Sequence, residues 1–406
     1  MSLIEEIASR NRLEYQRDNF DAFLKKVGFH YDIPSIHVTG TNGKGSTCNY
    51  LNNIYIASGK KVGLFISPMN YSLCDMIKIN DVDIPEKEVE SIYKQYEKYI
   101  NKYELSAFEI TTFIALTYFK KEKVDIAIIE CGMGGEVDAT NIFTPILSII
   151  TSVSVEHTNA LGVSVSEIAL HKAGIIKEKK PVLIGDIKGD ALDVIVNKAR
   201  YFKSEVHSVR NFNNDLLKED GYAFGYPPYS GLKIKSRAFS SVQDACIAVE
   251  ATNILKDILP VDEGAVKKGL YTNPLVGRFE IHQGHPTIII DGAHNPEAIK
   301  KLRLDVDNLH LTNPIHVVLA CFKDKNITSM LPEIALLGDL SLTTFNHPRA
   351  REEADYFLYL EEYKFFDDHI ALIKSLKEQY PEDTILICGS LAFAALIHKE
   401  LLDEVL

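Results

Sequence analysis

The sequence predicts an α/β protein of two domains: a mostly parallel sheet domain containing a phosphate-binding loop and a small antiparallel subregion, then a smaller C-terminal α/β domain. Three observations carry this. Short β-branched runs alternate with helix-period segments, the pattern of parallel strands joined by crossover helices. A glycine-rich turn stands between the first such run and a helical stretch. The alternation breaks in a Gly, Tyr, Phe and Pro segment and then restarts.

Taken in order, strands are expected at Ile36 to Val38, Val62 to Ile66, Ile126 to Ile129, Ile146 to Ile150 and Val182 to Ile184. From about Glu205 to Ser240 the character changes, and Gly221-Tyr-Ala-Phe-Gly-Tyr-Pro-Pro-Tyr229 favours a hairpin or meander. A helix from Val242 to Leu255 follows. After Pro274 and Gly277, buried strands are expected at Ile288 to Ile290, His316 to Ala320, Leu340 to Phe345 and Ile385 to Ile387, forming a Rossmann-like domain. The boundary is placed near Arg278 to Gly284, giving domains 1–280 and 281–406.

With 406 residues, 46% hydrophobic and 25% charged, the chain is too long for one ordinary core and too apolar for wholesale disorder. Its net charge of −12 argues against a nucleic-acid footprint, so an anionic ligand must be held locally. No apolar run approaches the length that crosses a bilayer, and Met1 to Glu6 lacks a basic start before an apolar stretch. A cytoplasmic monomer acting on small molecules, with no membrane or nucleic-acid partner, is expected. Six widely spaced cysteines without a Cys-x-x-Cys pair read as buried, reduced thiols.

The turn Gly40-Thr41-Asn42-Gly43-Lys44-Gly45-Ser46-Thr47 follows the first strand directly. Glycines let backbone N–H groups converge on phosphate oxygens, a helix N-terminus adds partial positive charge, and a lysine bridges the β and γ phosphates. The loop is therefore P-loop-like, although Val38 stands where the usual first glycine belongs and Gly45 replaces the first hydroxyl, leaving Ser46 as the nearest. Alone, it does not separate kinase, ligase, GTPase or transporter ATPase.

Gly40 to Ser46 closely resembles the nucleotide loop of the folylpolyglutamate synthase and dihydrofolate synthase family, within the Mur ligase superfamily. Further blocks agree in order and spacing: Ile66-Ser67-Pro68, Phe108-Glu109-Ile110-Thr111, Ile128 to Asn141, His157, His171 to Ile176, Gly277-Arg278, and Asp291-Gly292-Ala293-His294-Asn295-Pro296. The resemblance covers nearly the whole chain. It implies an ATP-dependent ligase that joins L-glutamate to a folate or dihydropteroate carboxylate through an acyl phosphate, releasing ADP and phosphate. A carboxylate is a poor acyl donor until phosphorylated, and cationic groups must neutralise the transferring phosphoryl group.

By the same resemblance, Ser67, Glu130 and His157 match Mg²⁺ ligands. Lys172 matches a lysine modified to a carbamate that helps hold a second Mg²⁺. Arg278, Asp291 and His294 look like interdomain nucleotide contacts, the arginine placed to reach phosphate and the other two approaching from the second domain. Lys44, Lys172 and His294 form the implied catalytic set, while Lys323-Asp324-Lys325 and His347-Pro348-Arg349 resemble segments near the incoming glutamate. Read from the residues alone, Ser67 and Glu130 lie at strand carboxyl ends, where open α/β sheets bind ligands, and their oxygens suit a hard cation. His157 on its own reads as a loop histidine, Lys172 also reads as a helix salt-bridge partner, and Arg278 equally as a structural ion pair.

Three departures stand out. Glu156-His157 replaces the family's Asp-His. Asp75-Met76-Ile77 stands where Glu-Arg-Ile is usual, which removes an arginine able to grip an anionic substrate. Asp244 replaces an asparagine at the helix opening, and an aspartate only accepts from an adenine edge. A Mur-type amino-acid ligase with a non-pterin acceptor, a non-catalytic nucleotide-binding paralogue and a P-loop kinase are the alternatives.

Overall fold

The computed structural model describes residues 2–10, 17–217 and 221–406. They fall into two compact units. The first draws on residues 1–215, 223–234 and 242–272, the second on 216–222, 235–241 and 273–406.

Eight strands build the large sheet: β1 (Ser35–Thr39), β2 (Val62–Phe65), β3 (Ile77–Ile79), β4 (Val82–Asp83), β5 (Ile126–Glu130), β6 (Leu147–Ile150), β7 (Val182–Ile184) and β8 (Val206–Ser208), in the order β4-β3-β2-β5-β1-β6-β7-β8. β1 lies between β5 and β6, parallel to both, with Val38 opposite Glu130 and Ile149. β1, β2, β5 and β6 are buried throughout, as expected of a parallel sheet covered on both faces. β9 (Asn213–Leu217), β10 (Gly221–Tyr226) and β11 (Tyr229–Ile234) form the expected meander.

The second unit holds β12 (Glu280–His282), β13 (Thr287–Ile290), β14 (Ile315–Leu319), β15 (Asp339–Thr343), β16 (Lys364–Phe366) and β17 (Thr384–Cys388), in the order β12-β13-β17-β14-β15-β16. All pair in parallel except β12. Alternate residues feed two cores. Ile289, Val317, Leu319, Leu386 and Cys388 pack on one face, while Ile288, Ile290, Val318, Ile385 and Ile387 pack on the other. That two-sided burial explains the continuous apolar runs.

The strands expected from sequence all form. β3, β4, β8, β12 and β16 were not expected, each being two or three residues long and too short to show a period. All six cysteines are free and buried. Among the described residues, no helix is long and apolar enough to cross a membrane.

The helix expected from Val242 begins earlier, at Phe239. The reason is distant in sequence: Asp305, on helix Pro296–Asp307, accepts hydrogen bonds from the Phe239 N–H at 2.6 Å and the Ser240 hydroxyl at 3.1 Å. Burial pushes the Asp305 carboxyl up to about 7, against the lowering effect of the Phe239 N–H. Folding therefore favours its protonated form, and the stability this confers below pH 4 is lost as pH rises to about 7. Asp305→Asn keeps an acceptor without the charge, so in urea titrations it is expected to match the wild type near pH 4 and to exceed it increasingly as pH rises to about 7. Asp305→Ala should lose about 1–2 kcal/mol.

Candidate active site

β1 delivers the chain into the turn 40–43, and helix Lys44–Ala57 starts immediately after it. Gly43 caps that helix at φ 84°, a left-handed conformation natural to glycine. The first turn of a helix presents backbone N–H groups and partial positive charge to an anion. Lys44 curls over the loop, its Nζ donating to the carbonyls of Gly40 at 2.9 Å and Thr41 at 3.1 Å.

Hydroxyls leaving β6 brace the other side. Thr151 Oγ1 donates to the Asn42 carbonyl at 2.6 Å, Ser152 Oγ accepts from the Asn42 N–H at 2.9 Å, and the Ser154 N–H donates to Thr41 Oγ1 at 3.0 Å. The Asp244 carboxylate lies against Gly43, so a methyl group there would run into it. Gly43→Ala thus combines a left-handed backbone, costing about 1–2 kcal/mol, with that collision. ADP binding measured by calorimetry is expected to weaken at least tenfold, with a lowered melting temperature.

Glu130 ends β5 only 2% exposed, and its carboxylate accepts the Ser67 N–H at 3.0 Å, tying the exits of neighbouring strands β2 and β5 together. Lys172, on helix Val165–Ala173, is 3% exposed. Burial draws its ammonium down to about 7, the Lys44 charge adds to this, and Glu156 opposes it. His157 caps a short helix at φ 52°, with Nε2 3.6 Å from Glu156 Oε1.

The glycine turn after β5 fixes the Lys172 helix. Thr39 Oγ1 donates to the Gly134 carbonyl, and the Glu136 N–H donates to the His171 carbonyl at 2.8 Å. A methyl at Gly135 would stand 3.0 Å from the carbonyl oxygens of both His171 and Lys172. The Phe108 ring covers Gly132, while Glu109 and Ser106 form a capping box on helix Ala107–Lys121. The Phe108-Glu109 element therefore supports the turn from behind.

These donors fit a hard divalent cation in part. Ser67 and Glu130 supply oxygens, whereas the His157 imidazole is softer. Lys172 repels a cation as an ammonium and becomes an oxygen donor only as a carbamate.

In the second unit, Asp291 follows β13 and accepts from the Phe279 N–H at 2.9 Å and the Ala293 N–H at 2.8 Å. Burial pushes its carboxyl up, and Arg278 foremost, with His294 further down, opposes that rise, which places the three within electrostatic reach. His294 Nδ1 lies 2.8 Å from the Gly292 carbonyl, so that nitrogen donates. The segments around Lys323 and Arg349 also meet. The Lys323 N–H donates to the Arg349 carbonyl at 2.9 Å, and Arg349 pairs with Asp324 at 2.7 Å while lying 4.3 Å over the Phe322 ring.

Residues 38–223 match the Mur ligase middle domain and residues 277–391 the Mur ligase glutamate ligase domain. The dihydrofolate synthase/folylpolyglutamate synthase of Bacillus subtilis is 31% identical over 392 residues, covering 91% of this chain and 90% of the relative. The chain belongs to the folylpolyglutamate synthase/dihydrofolate synthase family. The folylpolyglutamate synthase of Lacticaseibacillus casei is also 31% identical, over 90% of each chain. Among solved structures, Escherichia coli FolC in complex with DHPP and ADP superposes with a TM-score of 0.88 at 26% identity, covering 99% of this chain and 97% of that one.

Against the family pattern, the structure gives Asp75 a local task. Its carboxylate accepts the N–H groups of Asn70, Tyr71 at 2.7 Å and Ser72 at 3.0 Å, ordering the loop after Ser67-Pro68. The Thr151, Ser152 and Ser154 braces were missed by sequence reasoning, although a hydroxyl cluster directly after a buried strand beside β1 was available as a signal. Glu156, in the sequence only a departure from the family pattern, lies within electrostatic reach of Lys172.

Proposed function

We propose that this chain adds L-glutamate to a folate carboxylate, elongating tetrahydrofolate, with dihydropteroate as a second acceptor, and cleaves ATP to ADP and phosphate. An acceptor carboxylate oxygen attacks the γ-phosphorus and the bond to the ADP oxygen breaks. The glutamate amine then attacks the acyl carbon, phosphate leaves, and the amine proton passes to solvent or a basic group. The supporting observation is the gathering of Lys44, Lys172, Glu130 and Ser67 around a phosphate loop at the exits of parallel strands.

In this reading the loop 40–47 holds the phosphates and Asp244 accepts from the adenine amino group. Arg278, at the domain boundary, reaches phosphate, and Asp291 and His294 contribute nucleotide contacts from the glutamate-ligase domain, 281–406. Ser67, Glu130, His157 and carbamylated Lys172 would hold two Mg²⁺ ions, which when bound neutralise charge on the transferring phosphoryl group. The setting we propose is a cytoplasmic monomer.

A second reading, a ligase with a non-pterin acceptor, is favoured by Met76 where an arginine is usual. ADP release is to be measured with Mg-ATP and L-glutamate plus tetrahydrofolate, dihydropteroate or no acceptor, with mass spectrometry of the product. Pterin-dependent ADP release with a product heavier by one glutamate is expected. ATP binding without turnover on either pterin would sink the folate assignment.

A further inference from the structure

β12 runs antiparallel to β13, with Glu280 opposite Ile290 and His282 opposite Ile288. Two residues apart on one strand, Glu280 and His282 project from the same face of the sheet edge. His398, on helix Leu391–Leu402, reaches that face from 118 residues away in sequence.

The carboxylate of Glu280 is oriented from both ends. Its Oε1 accepts the Gly277 N–H. Its Oε2 is turned to both histidines, lying 2.6 Å from His398 Nδ1 and 3.3 Å from His282 Nε2. The three donor atoms all lie within 4.8 Å of one another. The two rings, with centroids 6.1 Å apart and planes at 61°, meet edge to face rather than stacking. Side-chain exposure runs from 11% at Glu280 and 20% at His398 to 36% at His282. The cluster is thus dry at its carboxylate and open to solvent at one histidine.

We propose that Glu280, His282 and His398 form a binding site for a borderline divalent cation of the Zn²⁺ or Co²⁺ class, with solvent completing the coordination. Two imidazoles and one carboxylate are the donor set such ions favour, and three protein ligands with an open position match the geometry of accessible zinc sites. The Gly277 N–H on the distal oxygen is the outer support that fixes a ligating carboxylate. This donor set differs in kind from the oxygen-rich group at Ser67 and Glu130, so the two sites would select different ions.

Occupancy would pin β12 to the last helix. Arg278 lies two residues before Glu280, and Asp291 directly follows its ladder partner Ile290. The ion would therefore stiffen the support of both residues within the second unit. The proposal does not depend on the ligase reading.

Co²⁺ titration of the full chain in excess Mg²⁺ and ADP, followed by visible absorption and equilibrium dialysis, tests it. The expected result is a band of four- or five-coordinate cobalt saturating at one ion per chain. Displacement by Zn²⁺ should abolish that band. His398→Gln and His282→Asn are each expected to weaken binding at least about tenfold, whereas His310→Asn, at an exposed histidine elsewhere in the unit, should leave it unchanged. Thermal melts establish that the variants fold. Absence of the band in the wild type, or its persistence in both ligand variants, would overturn the site and leave a hydrogen-bonded Glu–His cluster.

Discussion

Lys44→Met is expected to lower kcat/KM for Mg-ATP on the order of 1000-fold, equivalent to about 4 kcal/mol of transition-state stabilisation. The Lys44 ammonium is anchored to two carbonyls of its own loop, so an arriving phosphate oxygen meets a charge already positioned beside the helix N-terminus. Preorganisation is what makes such a charge effective, because no reorganisation accompanies phosphoryl transfer. Arginine should not substitute, since its planar fork does not fit where a compact ammonium bridges two phosphates.

A second readout separates lost charge from lost structure. Lys44 depresses the titration of Lys172, so its removal should raise the Lys172 pKa from about 7. Amine labelling of Lys172 followed across pH by mass spectrometry would detect that rise. Turnover of Lys44→Met within tenfold of wild type would sink the assigned role.

The parts of the molecule legible in the sequence are those whose signal is local. The loop from Gly40 to Thr47 announces itself because glycine spacing, lysine and strand context occupy one short window. Triple-isoleucine β13 was legible because both its faces are buried. Illegible features join residues far apart in sequence. Asp305 starts a helix 66 positions upstream, and Thr151 props a loop 109 positions earlier. The Lys172 environment is of the same kind, since its burial and the proximity of Lys44 and Glu156 are tertiary facts. The family resemblance singled out Lys172 without supplying a physical reason. The depressed amine supplies one.

That amine leads to the second large effect. Lys172→Met is expected to lose activity at least 100-fold while making the folded chain more stable, by about 2–4 kcal/mol at pH 6 in CO₂-free buffer. Folding lowers the proton affinity of Lys172 from the ordinary 10.5 to about 7, chiefly through burial. Below about pH 7 both folded and unfolded chains carry the proton, and the full burial penalty is present. Between about 7 and 10.5 the unfolded chain binds more protons, so wild-type stability climbs with pH. Methionine carries no such penalty, and its advantage should shrink across that window.

Activity should move oppositely. At pH 7.5 about three-quarters of Lys172 would be neutral amine, against roughly 0.1% for an ordinary lysine. Only the neutral amine attacks CO₂, forming a carbamate and releasing one proton. Wild-type turnover should therefore rise through pH 7, fall when CO₂ is stripped, and recover with bicarbonate, while Lys172→Met ignores bicarbonate. Full activity in the methionine variant would refute a functional Lys172. Indifference of the wild type to CO₂ would refute the carbamate while leaving the stability crossover standing, because that follows from burial alone.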